Sequence, residues 1–469
     1  MKISIRSIII TFAVVIFLTT VLSCFFPASS PFVPIGSSLV VGIITFSAYL
    51  GLCPVNRGGF ATLAVFWAIL SAGVVLNSYY FTTFSGGTPL APVLHNDDAH
   101  VAWEEMYASI TGSESNISVF RRGYGDFLAF ISLGHVLPIE ILLYVNSLFI
   151  LLSIVLTGAT AAALRTDGST DSSCLATAAM LVTGGVAYYL CAGTILIKDA
   201  LCCLLMSMVL FATIGNCRAG AAFAMLIVAV AVGALVRRWF PAVMAVALVM
   251  GMVLAPRRKA IFIGSFALVA ILLFFILHDN GLAASIIDSD GTSSFYLGDR
   301  IASTRLRAYE AVAGPYESLS VVQRFIRLPF SLAVQALIPL PWAFTRDIVF
   351  GPMQAYAHCS FAWYAVLGLM IYYLIFCFRR SPLAARVSAC FAIVAWCGTA
   401  FVTGGTVSRY CLPWLPFIAV PVAWLLCSDC VRVRAFRYWA AGWCLTMIVC
   451  LTVVFAVLNH YSPTGWTAQ

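Results

Sequence analysis

Apolar runs of eighteen or more residues recur from one end of this chain to the other, and they limit its fold more than any other feature. A helix of about 20 such residues crosses a hydrocarbon core about 30 Å thick. The alternating pattern of a lipid-facing β-barrel strand is absent from the sequence. Soluble domains carry about 25% charged residues, whereas this chain is 9% charged and 62% hydrophobic, with a mean hydropathy of +1.00. The sequence therefore predicts an all-α polytopic membrane protein.

Thirteen spans are expected, at 7–26, 33–53, 59–82, 139–164, 174–192, 197–216, 219–236, 239–255, 260–278, 356–378, 386–403, 411–427 and 438–459. They divide the chain into N-terminal transmembrane helices (1–82), a first long loop (83–138), a central transmembrane core (139–278), a second long loop (279–355) and C-terminal transmembrane helices (356–469). The two long loops are expected to carry short helices. The opening "MKISIRSIIITFAVVIFLTTVLSCFF" has the basic start and apolar stretch of a signal peptide. Its run is longer than a usual h-region and no clear small-residue cleavage site follows, so it reads as an uncleaved first helix. Most of the sixteen cysteines sit inside apolar runs such as "ALCCLL" and "AWCGTAF". There they act as small hydrophobes, and no CxxC or Cys/His metal spacing appears.

The connections alternate in character. One set is short and basic: Lys2 and Arg6, Arg57, Arg165, Arg218, "RRK" at 257–259, "RRSPLAAR" at 379–386 and "VRVRAFR" at 431–437. The other set is the two long mixed-charge loops. Short loops rich in Lys and Arg face the cytoplasm. The amino terminus is thus expected inside, and both long loops on the periplasmic or outer side of a bacterial inner membrane. The net charge of +8 divides between these faces, and a nucleic-acid partner is not expected.

On the outer side lies "HNDDAHVAWEEMYA" (95–108), which sets two aspartates, two glutamates and two histidines within eleven positions. The first long loop offers Asp97, Asp98, Glu104, Glu105, Arg121, Arg122 and Asp126. "GTILIKDALCCLL" puts Lys198 and Asp199 at an outer helix end, and "GALVRRWFPAV" puts Arg237 and Arg238 at an outward turn. The second long loop carries Arg300, Arg305, Arg307, Glu310, Arg324 and Arg327, and "TGGTVSRYCLPWLP" brings Arg409 and Tyr410 to another outer end. Ionisable groups at the bilayer centre cost roughly 2.5–3.5 kcal/mol each, so in or near the hydrocarbon they mark polar cavities. Arginine's planar fork suits phosphate, and a carboxylate pair suits deprotonating a hydroxyl. Together these residue types point to group transfer from a lipid-phosphate donor to an acceptor hydroxyl. Each piece also has a plainer reading. Asp97 and Asp98 fit a solvated loop or helix cap, Lys198 and Asp199 fit snorkelling to the interface, and Arg237 and Arg238 fit ordinary outside-loop charges. His95 and His100 flank the aspartates at a spacing that permits a divalent cation, against the plain reading of polar loop histidines. No other cofactor is implied.

The order of these pieces resembles the GT-C superfamily of membrane glycosyltransferases, which includes protein mannosyltransferases and lipid A aminoarabinose transferases. Asp98 precedes "WEEMYA", and "RRGYGDFLAFISLGHVLPIEILLYVNSLF" then places Arg121, Tyr124, Gly134 and Asn146 in the family's order. "YYLCAGTILIKDALCCLLMSMVLFA" stands where the family has its Lys-Asp helix, "GALVRRWFPAV" resembles its Arg-Pro turn, and "LIPLPWAF" and "GGTVSRYCLPWLPF" resemble late motifs of bacterial surface-polysaccharide members. The likeness covers roughly residues 90 to 427. The chain departs from the pattern in three ways: "RRGYGDF" lacks the double proline, "RRW" replaces Arg-Pro, and three helices precede the acidic loop where the usual core has one.

The resemblance implies a GT-C-like fold and a sugar donor carried on undecaprenyl phosphate or a similar polyprenyl phosphate. It implies an envelope glycan or glycolipid as acceptor, with membrane lipids around both. Asp97 or Asp98 would be the base. Arg121, Arg122, Lys198, Arg237, Arg238 and Arg409 would bind the donor phosphate, with Glu104, Glu105, Asp199, Arg305 and Tyr410 as further candidates. Two other functions stay open: a polymerase or ligase of lipid-linked repeat units, and a transporter of an anionic or lipid-linked solute.

Overall fold

The computed structural model describes residues 4–84, 97–112, 122–164, 171–215, 217–237, 240–254, 263–265, 267, 269, 320–337, 360–403, 408–428 and 433–461. Among the described residues there are helices and turns and no strand. The first half holds α1 (Ile5–Phe25), α2 (Phe32–Leu52), α3 (Arg57–Phe84), α4 (Asp97–Thr111), α5 (Arg122–Ile131), α6 (Ile139–Ala162), α7 (Ser172–Gly185), α8 (Ala187–Thr194), α9 (Lys198–Ile214), α10 (Ala219–Val236) and α11 (Phe240–Leu254). The second half holds α12 (Val321–Leu337), α13 (Ser360–Tyr372), α14 (Leu383–Thr403), α15 (Leu415–Cys427) and α16 (Val433–Tyr461). Helix α13 runs on through a widened turn, Tyr373–Cys377, and a tightened one, Phe378–Arg380. A 3₁₀ turn, Ser408–Trp414, leads into α15.

Eight of these helices are long and apolar enough to cross a membrane, and the pair α7–α8, bent by 68°, makes a ninth if it is one span. The protein is therefore a polytopic helical membrane protein. The sequence predicts thirteen spans, and the difference has identifiable sources. Helices α9, α11 and α15 have 17, 15 and 13 residues, and most of 260–278 lies outside the described residues. Helix α15 is short because Pro413 and Pro416 remove amide donors at its approach, leaving the 3₁₀ turn in place of another α-helical turn. Of the second long loop, α12 is described, and the first contributes α4 and α5. Within the spans, several hydroxyls bond their own helix: Thr19 donates to the Val15 carbonyl at 2.8 Å and Thr157 to that of Ser153 at 2.7 Å. Lipid offers them no other partner.

Helix α6 is the axis of the bundle. It packs against α2, α3, α7, α8, α9 and α15, and its small residues Gly158, Ala159 and Ala161 allow close approach. Ser153 on α6 bonds Ser207 on α9 at 2.5 Å and also Tyr189 on α8. The two ends of the bundle differ. At one end lie Arg57, Arg218, Arg379, Arg380, Arg434 and Arg437, all exposed; we call this the basic end. Asn56 organises it: Oδ1 accepts from the Gly59 amide at 2.5 Å, capping α3, while Nδ2 donates to the Ser173 carbonyl at 2.7 Å. Near the far end of α3, Asn77 donates to the Thr194 carbonyl at 2.8 Å. The α7–α8 pair thus runs beside α3 from one end of the bundle toward the other.

Candidate functional site

The end opposite the basic one gathers most of the acidic residues among those described: Glu104, Glu105, Asp126, Glu140 and Asp199. Its framework is an interruption in the backbone. Between α8 and α9 the chain is extended at Ile195 and Ile197, so carbonyls there lack helical partners. Side chains supply the bonds. Asn146 of α6 donates to the Ile195 carbonyl at 2.7 Å and to the Ile197 carbonyl at 3.1 Å, and Ser147 donates to the Gly193 carbonyl at 2.7 Å. Asn146 in turn accepts from the Tyr124 hydroxyl at 2.7 Å. Burial pushes the Tyr124 phenol well above its ordinary pKa, so it stays a neutral donor to that bond.

Helix α9 restarts at once with Lys198 and Asp199. Asp199 is 2% exposed, and its Oδ1 accepts from a terminal nitrogen of Arg237, itself 4% exposed, at 2.7 Å. An acid in the first turn also complements the helix dipole. Asp199 Oδ2 has no hydrogen-bond partner among the described residues. Lys198 beside it is half-buried. Arg237 caps the end of α10, where its amide donates to the Gly233 carbonyl at 2.8 Å.

The hairpin α4–α5 sits on these helix ends, and two glycines explain how closely. A Cβ on Gly123 would lie 1.9 Å from the Leu235 carbonyl oxygen of α10, and one on Gly125 would lie 2.2 Å from Glu105 Cβ on α4. The "RGYGDF" run thus threads α5 between α4 and α10 while directing Tyr124 at Asn146. Glu105 is buried in that packing, Glu104 is half-buried and Asp126 is exposed. The 3₁₀ turn carrying Arg409 and Tyr410 packs against α9, and α12 is tied to it by Gln335, whose amide nitrogen lies 2.8 Å from Cys411 Sγ.

The structure therefore brings Tyr124, Asn146, Lys198, Asp199 and Arg237 together. Asp97 and Asp98 form the first turn of α4, which fits the capping reading as well as the catalytic one. His100 also lies in α4, Arg122 opens α5, and Arg409 and Tyr410 lie in the 3₁₀ turn. His95, Arg121, Arg238 and Arg305 lie outside the described residues. Among the described residues no group of three or more His, Cys, Asp or Glu converges on a metal position. Two polar residues went unread in the sequence. Asn77 holds the Thr194 carbonyl, and Glu140, in the first turn of α6, is 2% exposed with no hydrogen-bond partner for Oε1 among the described residues. Glu140 is the one acid within the expected span 139–164, a signal available from the start. Set beside family models, curated proteins and solved structures, the chain matches none.

Proposed function

We propose that the protein is an integral-membrane glycosyltransferase that moves a sugar from a polyprenyl-phosphate carrier to a cell-envelope glycan of the lipopolysaccharide or O-antigen type. The reading takes a GT-C-like fold with thirteen crossings of a bacterial inner membrane, the basic end in the cytoplasm and the site outside. One observation carries it: a carboxylate-bearing hairpin, α4–α5, is docked on the end of α10 beside Arg237, which pairs with Asp199 at the start of α9.

In the proposed reaction the acceptor hydroxyl attacks the anomeric carbon and the bond from that carbon to the phosphate oxygen breaks. The hydroxyl proton passes to a carboxylate and the polyprenyl phosphate departs. We assign the base to Asp98, which shares the helical stripe of Ala102 and Glu105, both buried; Asp97 falls on the stripe of half-buried Glu104. Because Arg237 is locked to Asp199, its part is to fix the start of α9. Lys198, Arg121, Arg122 and Arg409 then supply the charge that stabilises the leaving phosphate. The test is transfer from a polyprenyl-phosphate sugar by the purified chain. Asp98→Asn is expected to lower the rate by about two to four powers of ten, with Asp97→Asn far milder. Unchanged transfer in both variants would remove this helix from the chemistry.

A second reading, transport of an anionic or lipid-linked solute, draws on the 68° bend between α7 and α8. Discontinuous helices are a feature of transporters. Uptake of chemically unchanged solute into proteoliposomes, with no transfer, would decide for it.

A further inference from the structure

At the basic end, Cys174 and Cys427 bring their sulfurs to 3.2 Å although they are 253 positions apart in sequence. Cys174 lies in the first turn of α7 and is exposed; Cys427 is the last residue of α15 and is partly exposed. Both are held from outside the pair. The Asp171 carboxylate accepts from the Ser173 amide at 2.9 Å and from its hydroxyl at 2.6 Å, and Asn56 bonds the Ser173 carbonyl at 2.7 Å. Helix α15 packs along α7 up to this point. A disulfide needs its sulfurs about 2.05 Å apart, so from 3.2 Å the gap to close is little more than about 1 Å.

We propose that Cys174 and Cys427 are a redox-active dithiol that small-molecule disulfides close into a bond stapling α7 to α15. The thiolate of Cys174, the more exposed, attacks one sulfur of the oxidant, forming a mixed disulfide and expelling the first thiolate. The Cys427 thiolate then attacks the Cys174 sulfur and expels the second. The protein loses two electrons and two protons, and the oxidant is reduced to two thiols. With the orientation proposed above, the pair faces the cytoplasm, where thiols are kept reduced, so the open dithiol is the resting state and closure reports oxidation. The staple would fix the first half of the bent α7–α8 pair, whose other half leads into the interruption at Ile195–Ile197.

The experiment uses membranes containing the full chain, treated with the permeant oxidant dithiodipyridine, blocked with N-ethylmaleimide and peptide-mapped without reduction. The expected result is a linked peptide joining Cys174 and Cys427, abolished by dithiothreitol and lost in both Cys174→Ser and Cys427→Ser. In the wild type, phenylarsine oxide, which bridges paired thiols, should protect both from N-ethylmaleimide, a readout that needs no variant to fold. Absence of the linked peptide, with Cys174 either alkylated or untouched, overturns the proposal. Closure in intact cells by a charged, impermeant disulfide would refute the cytoplasmic placement and the orientation with it, while transfer activity is read separately.

Discussion

Asn56 and Asn146 each tie helix ends together at opposite ends of the bundle, and they do so in different surroundings. Asn56 is half-buried among exposed arginines and completes a helix that would begin there in any case. Asn146 is fully buried and supports a stretch that is not helical at all. This stretch reverses the chain between α8, which ends beside Asn77, and α9, which runs back toward the basic end. The protein commits Asn77, Asn146 and Ser147 to the reversal and sets a buried ion pair directly after it. Buried polar groups are costly when any partner fails. The contrast locates the expensive part of the structure at the end opposite the exposed arginines.

The largest effect on stability should come from the ion pair. Removing one partner of a buried pair leaves an uncompensated charge, at about 3–5 kcal/mol. Arg237→Ala should therefore lower the thermal midpoint of the detergent-solubilised protein sharply, whereas Arg57→Ala and Arg218→Ala, exposed at the basic end, should barely move it. Adding Asp199→Asn to Arg237→Ala should recover part of the loss. If Arg237→Ala is as mild as the basic-end variants, the contrast between the two ends fails.

A smaller difference separates the asparagines. Asn146→Ala removes the partner of the Tyr124 hydroxyl and leaves the Ile195 and Ile197 carbonyls only the amides of Ile197 at 2.9 Å and Ala200 at 3.4 Å; a buried group left unpaired costs about 1–3 kcal/mol. Asn56→Ala removes a helix cap, worth about 1 kcal/mol, together with the bonds to Ser173 and Thr177, at a half-buried position where nearby water can take over. Hydrogen exchange should show faster opening around residues 195–200 in the first variant than around 57–60 in the second. Equal opening would mean that the interruption is held by packing and not by Asn146.

Much of the fold was legible because apolar runs report helices directly. The expected spans 33–53 and 219–236 match Phe32–Leu52 and Ala219–Val236 within one residue. The break before α9 was legible as well: the expected spans 174–192 and 197–216 leave 193–196 between them, and the chain is non-helical from Ile195 to Ile197. The bonds that hold this stretch were not legible, because they come from side chains 46 to 117 positions away. The gathering of Lys198, Asp199 and Arg237 at one end followed from the alternation of basic loops. Their pairing did not, because a sequence shows that Arg237 is cationic and close to a helix end without showing that Asp199 pairs with it. The glycines of "RGYGDF" had a reason visible only once α4 and α10 pressed on α5 from two sides.

The smallest effect sharpens the comparison from the basic end, where a single charge should act through a cap alone. The Asp171 carboxylate accepts from both the Ser173 amide and hydroxyl, and these bonds hold its pKa below the ordinary carboxylate value. In the unfolded chain an aspartate titrates near about 3.9. A group whose folded pKa is depressed contributes its full stabilisation above the unfolded value and loses it as pH falls through the folded one. The start of α7 should thus be unchanged between about pH 5 and 8 and loosen only below about pH 4. Asp171 is exposed, so salt should weaken the step further. Asp171→Asn keeps an acceptor for the Ser173 amide but has no proton to bind, and the acid-side loosening should vanish in it, whereas Asp171→Ala should loosen the first turn at every pH. The Ser173 amide exchange rate, corrected for its intrinsic pH dependence, reads all three. An acid step that persists in Asp171→Asn would place the titrating group elsewhere and leave Asn56, not Asp171, as the main support of that corner.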